Sequence, residues 1–206
     1  MFAQARLNGF RYLLPVTVHM RCLALLLVAG AGFCNTLPGY AAESGAVKVN
    51  DTEIRLDGDV YLLDAQFLIA LSSGAREALE NNVPLIFDLQ VQLVSKHRWW
   101  WDAITTESRQ NRQLEYHALS RSFIVTDMNT GIRSSYRRLE DALQATGSIR
   151  DMALIKRQEL KDDGIYEVRL RGILDIESLP TPVRLPAYVS SAWDMDSKWY
   201  TWPLVP

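Results

Sequence analysis

The chain has 206 residues, of which 48% are hydrophobic, and its 22 basic and 24 acidic residues give a formal net charge of −2. Three of the basic residues and none of the acidic ones precede residue 42, so the remainder carries 19 basic against 24 acidic residues and a charge of −5. With more acidic than basic residues, the chain lacks the excess of positive charge that nucleic-acid-binding domains have, which excludes that partner class. The hydrophobic content is ordinary for a packed domain and excludes a disordered chain.

The first 41 residues have the order of a secretory signal peptide. Arg6, Arg11 and Arg21 precede an apolar stretch that runs from Cys22 to Phe33, and no acidic residue occurs before Glu43. Small residues at 39 and 41 favour cleavage before residue 42. We therefore predict a signal peptide at 1–41 and a periplasmic domain.

Two alternatives concern this leader. Translation that begins at Met20 gives the signal peptide ordinary proportions. An uncleaved leader would anchor the protein in the membrane, but its apolar run of about 12 residues is shorter than the ~20 that span a bilayer as a helix. Cleavage is favoured, and it leaves a domain without stable membrane insertion.

Both cysteines, Cys22 and Cys34, lie inside the leader. The predicted mature chain therefore has no thiol, disulfide or cysteine-ligated metal. With about 165 residues it is long enough to bury a core without disulfides. We predict one β-rich globular domain at 42–206.

Alternation of apolar and polar residues dominates the mature chain and predicts β-strands. The turn sequence Asp57-Gly58-Asp59 joins the first two strands as a hairpin. A second turn is predicted at Asn129-Thr130-Gly131. The predicted strands, seven or eight in all, include Val47–Leu56, Val60–Leu71, Leu85–Val94, Thr105–His117, Phe123–Thr126, Met152–Arg157 and Tyr166–Ile176.

Two short helices interrupt the strands, at Ala75–Asn81 and at Arg138–Ala145, where Gly147 ends the second. After Ile176 five prolines predict that no regular element follows, and tryptophans crowd the last fifteen residues. We predict an antiparallel β-sandwich-like domain whose tryptophan- and proline-rich C-terminal tail is strapped across the sheet by its aromatic side chains.

The segment Lys96-His97-Arg98-Trp99-Trp100-Trp101-Asp102 is the most unusual feature of the sequence. If it continues a strand, Trp99 and Trp101 point to one face and Trp100 to the other, so at least one ring meets the core. A ring that stays open suits a ligand or partner, because tryptophan is enriched at binding hot spots. Burial of the rings, a cation-π contact from Arg98 or Arg121 and a membrane-interface role remain open.

Catalytic motifs are absent from the sequence. His97 and His117 are the only histidines after the leader, and no zinc-protease, phosphate-loop or nucleophile-elbow motif occurs. His117 beside Tyr116 could serve a metal or an enzyme, although a hydrogen-bonded structural histidine is the simpler interpretation. Acidic pairs such as Asp162 with Asp163 are interpreted as solvated charges in turns. We predict no cofactor, no metal and no catalytic residue.

Several short motifs follow one another along the mature chain. They are Ala78-Leu79, Val83-Pro84-Leu85, Arg98 to Trp101, Leu114 to Arg121, Leu139 to Leu143, Leu179-Pro180 and Trp193 through Ser197 to Trp199. Their order and spacing together resemble a family of exported bacterial proteins, domain of unknown function 4390, and the resemblance covers essentially the whole mature chain. It implies an envelope protein without an assigned activity, cofactor or functional residue, whose family members tend to be encoded beside a membrane sensor kinase.

The sequence thus favours a non-enzymatic periplasmic binding module, with an envelope protein such as a membrane sensor kinase as its partner. The alternative is an envelope enzyme, or a protein that binds a metal or a glycan, which uses His117 and the Trp99–Trp101 cluster. The candidate binding residues are Arg98, Trp99, Trp100, Trp101, Tyr116, His117 and Arg121.

Overall fold

The computed structural model describes residues 45–96, 101–161 and 164–205, so the predicted signal peptide at 1–41 lies outside the described residues. Within these ranges the chain forms nine strands and three α-helices. In chain order they are β1 (Ala46–Asp57), β2 (Val60–Ala70), α1 (Ser73–Glu80), β3 (Leu85–Lys96), β4 (Ala103–His117), β5 (Ser122–Asp127), β6 (Arg133–Tyr136), α2 (Leu139–Thr146), β7 (Ser148–Lys156), β8 (Ile165–Leu174), α3 (Thr181–Val189) and β9 (Tyr200–Leu204).

The smaller sheet has three antiparallel strands in the order β1-β2-β7. Its β1-β2 hairpin is the one predicted around Asp57-Gly58-Asp59. Gly58 has a φ of +59°, a left-handed conformation that glycine adopts without steric cost. The predicted inward face of β2 is confirmed, because its alternate side chains are buried: Tyr61, Leu63, Ala65, Phe67 and Ile69.

The larger sheet has six antiparallel strands in the order β6-β5-β4-β3-β8-β9. β3 lies between β4 and β8, and it contains the predicted strand Leu85–Val94. The apolar members of its alternation, Leu85, Phe87, Leu89, Val91 and Leu93, are buried in the core. Among the even-numbered residues of β3, four are partly exposed (Ile86, Asp88, Gln92 and Lys96), whereas Gln90 and Val94 are buried.

Buried residues of both sheets belong to one core, which confirms the mainly β, antiparallel sandwich-like fold. Two glycines show how closely the layers approach. A Cβ at Gly172 of β8 would lie 2.6 Å from Cγ1 of Val47 in β1. A Cβ at Gly147 would lie 2.2 Å from the carbonyl oxygen of Phe67.

The two predicted helices are confirmed to within a residue or two. At the start of α1 the Ser72 hydroxyl caps the helix by accepting a hydrogen bond from the Ala75 N–H at 3.1 Å. α2 buries Leu139 and Ala142 and ends at Gly147, as predicted. The φ of Gly147 is −83°, so close packing, rather than a left-handed turn, requires glycine there.

The C-terminal tail holds more regular structure than the sequence predicted. Helix α3 forms although it contains two prolines. Pro182 lies in the first turn, where a backbone N–H has no helical partner, whereas Pro186 lies inside the helix and removes one N–H donor there. β9 pairs with β8 although it contains Pro203, which an edge strand tolerates. The prediction that no regular element follows Ile176 is therefore wrong, although Trp193 is buried as a strapped tail requires.

Candidate functional site

The tryptophan segment lies in the connection between β3 and β4, which we call the Trp loop (residues 97–102). β3 ends at Lys96, and Trp101 lies outside any strand with 93% of its surface exposed. The alternation expected of a strand therefore does not apply to Trp101. Arg98, Trp99 and Trp100 fall outside the described residues. Whether the Trp99 and Trp100 rings are buried therefore stays a matter of prediction.

Four charged side chains hold the two ends of the Trp loop together. The Lys96 ammonium lies 3.3 Å from the Asp102 carboxylate and 3.4 Å from that of Glu167. The Arg169 guanidinium lies 2.7 Å from Asp102 and 3.8 Å from Glu167. Each cation thus faces both anions, and this ion-pair ring joins the residue before the loop to its last residue and to β8. Networks of this kind fix geometry better than isolated surface pairs.

Exposed apolar side chains surround the base of the Trp loop. Ile104 pairs with Val94 at the start of β4, and Ile165 pairs with Lys96 at the start of β8. Both isoleucines are exposed, as is Val205 after β9. This end of the larger sheet therefore presents several exposed apolar side chains near Trp101.

The other predicted residues lie at the far end of β4. Tyr116 packs against Phe123 of β5 with ring centroids 5.1 Å apart. His117 is exposed, and its Nδ1 lies 3.1 Å from the Ser120 hydroxyl oxygen. Arg121 occupies the β4-β5 turn with a φ of +50°, an uncommon conformation for a side chain of its size. These residues shape a turn.

The structure does not bring Trp101 together with the residues at the far end of β4. Trp101 lies two residues before Ala103, the first residue of β4, whereas His117 is the last residue of this 15-residue strand. At ~3.3 Å per residue the strand separates them by roughly 45 Å. Arg121 is therefore also too remote to supply a cation-π contact to Trp101. The composite site of Trp101 with Tyr116, His117 and Arg121 divides into two places.

The His117 turn offers limited chemistry. The Ser120 hydroxyl lies 2.7 Å from the Ser122 hydroxyl and also contacts the His117 carbonyl, so it is engaged on several sides. Within residues 45–96, 101–161 and 164–205, no group of three His, Cys, Asp or Glu side chains could hold a metal ion. We interpret His117 as a residue that orders the turn.

A second aromatic group, on β9, was recognised in the sequence only as part of a strap. Tyr200 and Trp202 stack with ring centroids 6.3 Å apart, and both remain partly exposed. The Arg171 guanidinium lies 5.9 Å from the ring centre of Trp199. This contact supplies a cation-π pair, but with a different arginine and tryptophan from those that the sequence suggested.

We expect the ion-pair ring to depend on pH at both extremes. The hydrogen bond from Arg169, and then that from Lys96, lower the pKa of Asp102 below 3.8, and hydrogen bonds to Asp102 and Glu167 raise the pKa of Lys96 above 10.5. A carboxyl whose pKa is lower in the folded state than in the unfolded state stabilises the fold at a pH above its unfolded-state pKa. This stabilisation is lost as the pH falls through the folded-state pKa. An ammonium group whose pKa is higher in the folded state stabilises the fold at a pH below its unfolded-state pKa. This stabilisation is lost as the pH rises through the folded-state pKa. The stabilisation from Asp102 is therefore fully present above about pH 4, and that from Lys96 is fully present below about pH 10.

An NMR titration of the Asp102 carboxyl tests this arrangement. We expect its pKa to lie below 3.8 and to rise in Arg169→Gln by more than in Lys96→Gln, because the Arg169 contact is the larger cause. A wild-type pKa at or above 3.8, or no response to either substitution, would mean that the ring does not form in solution.

Comparison with known proteins gives one family. The model of the family described as Domain of unknown function (DUF4390) matches residues 44–203. The match includes the Trp loop, the three helices and all strands up to Pro203 in β9. No curated protein and no solved structure matches the chain. Among the helices that the structure describes, none has the length and apolar character needed to cross a lipid bilayer.

Proposed function

Since the chain belongs to the DUF4390 family, whose description assigns no activity, we propose from its geometry that the domain is a non-enzymatic binding module that presents the Trp loop to a protein partner. In this proposal the predicted signal peptide exports the domain to the periplasm, and the partner is an envelope protein. The sensor portion of a membrane kinase is the first partner to test, because the family resemblance suggests it.

The exposure of Trp101 is the observation that supports this proposal best. Tryptophan is usually well buried, and a ring that is 93% exposed forgoes the free energy that burial would supply. A partner that covers the ring would recover that free energy. Tryptophan is among the residues most enriched at binding hot spots for this reason.

The ion-pair ring adds a second argument, because it limits the motion of the loop ends before a partner arrives. Ordering a flexible loop on binding costs free energy, so a loop with a fixed base binds more tightly than a free one. Ile104 and Ile165 lie beside the same base and would be covered by a partner that reaches Trp101. An aromatic anchor, a rigid base and an apolar surround are the parts of a protein-binding surface.

Truncation of the Trp101 side chain tests the proposal. A tagged protein captures partners from a cross-linked envelope fraction, and mass spectrometry identifies them. We expect Trp101→Ala to lose about 2 kcal/mol of binding free energy, the size of a hot spot, or roughly 30-fold in affinity. Its thermal stability should change by less than about 0.5 kcal/mol, because the ring has few contacts to lose.

Leu119→Ala is the matched control. Leu119 is 94% exposed, like Trp101, but lies in the β4-β5 turn at the other end of the sheet. We expect it to retain the partner. Equal capture by the wild type and Trp101→Ala, or equal loss in both variants, would rule out the Trp loop as the binding surface.

The alternative function is an envelope enzyme, or a protein that binds a metal or a glycan, which uses His117 and the Trp99–Trp101 cluster. Trp101 and His117 lie at opposite ends of β4, roughly 45 Å apart, so a single small ligand would not contact both of them. Elemental analysis and a glycan-binding assay on the purified protein, each with His117→Ala, remain its direct tests.

A further inference from the structure

A groove crosses the outer face of the larger sheet at the end where β8 stops. It consists of two adjoining hollows of about 390 Å³ and 530 Å³, which share Ile173, Leu174 and Ile176. We call them together the end groove. The Trp loop lies near Ile165, at the other end of this 10-residue strand, roughly 30 Å away at ~3.3 Å per residue. The end groove is therefore a separate surface.

The hollow of about 390 Å³ has apolar side chains on its rim and its floor. Its rim includes Tyr188 and Val189, which lie in the last turn of α3, and Val189 is 88% exposed. Trp193 and Met195 line the same hollow and are buried in the core. Apolar side chains on an open rim, above a floor that belongs to the core, give a firm surface for an aliphatic side chain.

Acidic residues line both hollows of the end groove. Among the described residues that line the two hollows, one is basic, Arg109, and five are acidic: Asp88, Asp175, Glu177, Asp194 and Asp196. Even when Arg171, which pairs with Asp196, and Arg184 at the margin are counted, acidic residues are in excess. A cationic partner complements this charge.

At least two of these carboxylates have no cationic partner among the described residues. Asp88 is not one of them, because its Oδ2 accepts a hydrogen bond from the Gln90 amide at 2.7 Å and lies 3.7 Å from the Arg109 guanidinium. Within the described residues neither Glu177 nor Asp194 forms an ion pair, and Arg184 donates to the Glu177 carbonyl rather than to its carboxylate. Exposed carboxylates without a cationic partner favour a ligand that carries positive charge.

The dimensions suit a short extended peptide. The end groove passes across β4, β3, β8 and the segment 194–196 that bridges to Ile173. Neighbouring strands are ~4.8 Å apart, so the crossing is about 15 Å long and holds four to five extended residues at ~3.3 Å each. We infer that the end groove binds an extended segment of a partner protein in which Lys or Arg alternates with aliphatic residues.

A labelled synthetic peptide tests this inference through fluorescence anisotropy. The probe is acetyl-Lys-Leu-Lys-Leu-Lys-amide, and we expect it to bind the purified protein and to weaken as salt rises, because the contacts are partly exposed ion pairs. A Lys-Ser-Lys-Ser-Lys probe lacks the apolar side chains and a Glu-Leu-Glu-Leu-Glu probe reverses the charge. Both should bind at least tenfold more weakly.

Charge reversal locates the site. We expect Glu177→Lys with Asp194→Lys to weaken the Lys-Leu probe at least tenfold. The matched control is Glu53→Lys with Asp59→Lys, which changes the net charge equally on exposed positions of the β1-β2 hairpin and should leave binding unchanged. Equal loss in both double variants, or equal binding of the Lys-Leu and Lys-Ser probes, would reduce the result to attraction by net charge and overturn the inference.

The end groove and the Trp loop can be tested independently. Trp101→Ala should bind the Lys-Leu probe like the wild type, and the double variant at the groove should still capture a partner of the Trp loop. If both hold, the domain has two docking surfaces at opposite ends of β8 and can join two partners.

Discussion

We expect a chain that stops at Ala192 not to fold cooperatively. The truncation removes Trp193, which is 8% exposed, and Met195, which is 2% exposed. It also removes β9 and the Ser197 hydroxyl, which accepts a hydrogen bond from the Gly172 N–H at 2.9 Å. Losing a buried tryptophan or methionine costs about 2 to 5 kcal/mol each, and the whole stability of a domain is about 5 to 15 kcal/mol.

Circular dichroism during urea and thermal unfolding measures this effect. The control is a chain that stops at Leu204, which loses only the exposed Val205 and the final residue and should unfold like the full chain. A soluble 192-residue truncate with a cooperative transition would show that the tail is dispensable for the core.

Gly147→Ala is the second large effect that we expect. Its Cβ would lie 2.2 Å from the Phe67 carbonyl oxygen, and this backbone atom cannot turn aside as a side chain would. The Phe67 N–H also donates to the Gly147 carbonyl at 2.7 Å, so any shift would strain a buried hydrogen bond. We expect a loss of about 3 kcal/mol in the free energy of unfolding, the upper part of the range for overpacking.

Gly131→Ala provides the comparison. Gly131 has a φ of +76° and no atom within 4 Å of an added Cβ, so the substitution meets only the backbone penalty of the left-handed region, about 1 kcal/mol. Both variants are compared with the wild type in urea. A Gly147→Ala loss no larger than that of Gly131→Ala would mean that β2 and the α2-β7 connection approach less closely in solution.

Much of the fold was predictable because its central strands bury one face only. The alternation of Leu85, Phe87, Leu89, Val91 and Leu93 marks β3 because every second side chain enters the core. The structure of the C-terminal tail was harder to predict, since proline usually breaks helices and strands. Pro182 and Pro203 occupy positions where a missing N–H costs little, and only the folded structure shows that they do. β6 is short, polar and mostly exposed, so it carries no alternation.

The candidate site was predictable only in part. The unusual composition of the Trp loop is visible in the sequence, but its ion-pair ring joins Lys96 and Asp102 to Glu167 and Arg169, which are distant in sequence. The grouping of Trp101 with His117 overlooked the predicted strand between them, which already required a long separation. The end groove was not visible at all, because its residues come from four separate parts of the chain.

Site-specific photo-crosslinking tests the central claim most directly. A photoreactive phenylalanine analogue replaces Trp101 in one strain and Leu119 in another, and both proteins are irradiated in living cells. We expect an adduct of defined mass with one envelope protein from position 101 and none from position 119. The absence of any adduct at position 101, or the same set of adducts at both positions, would contradict a partner-binding role for the Trp loop.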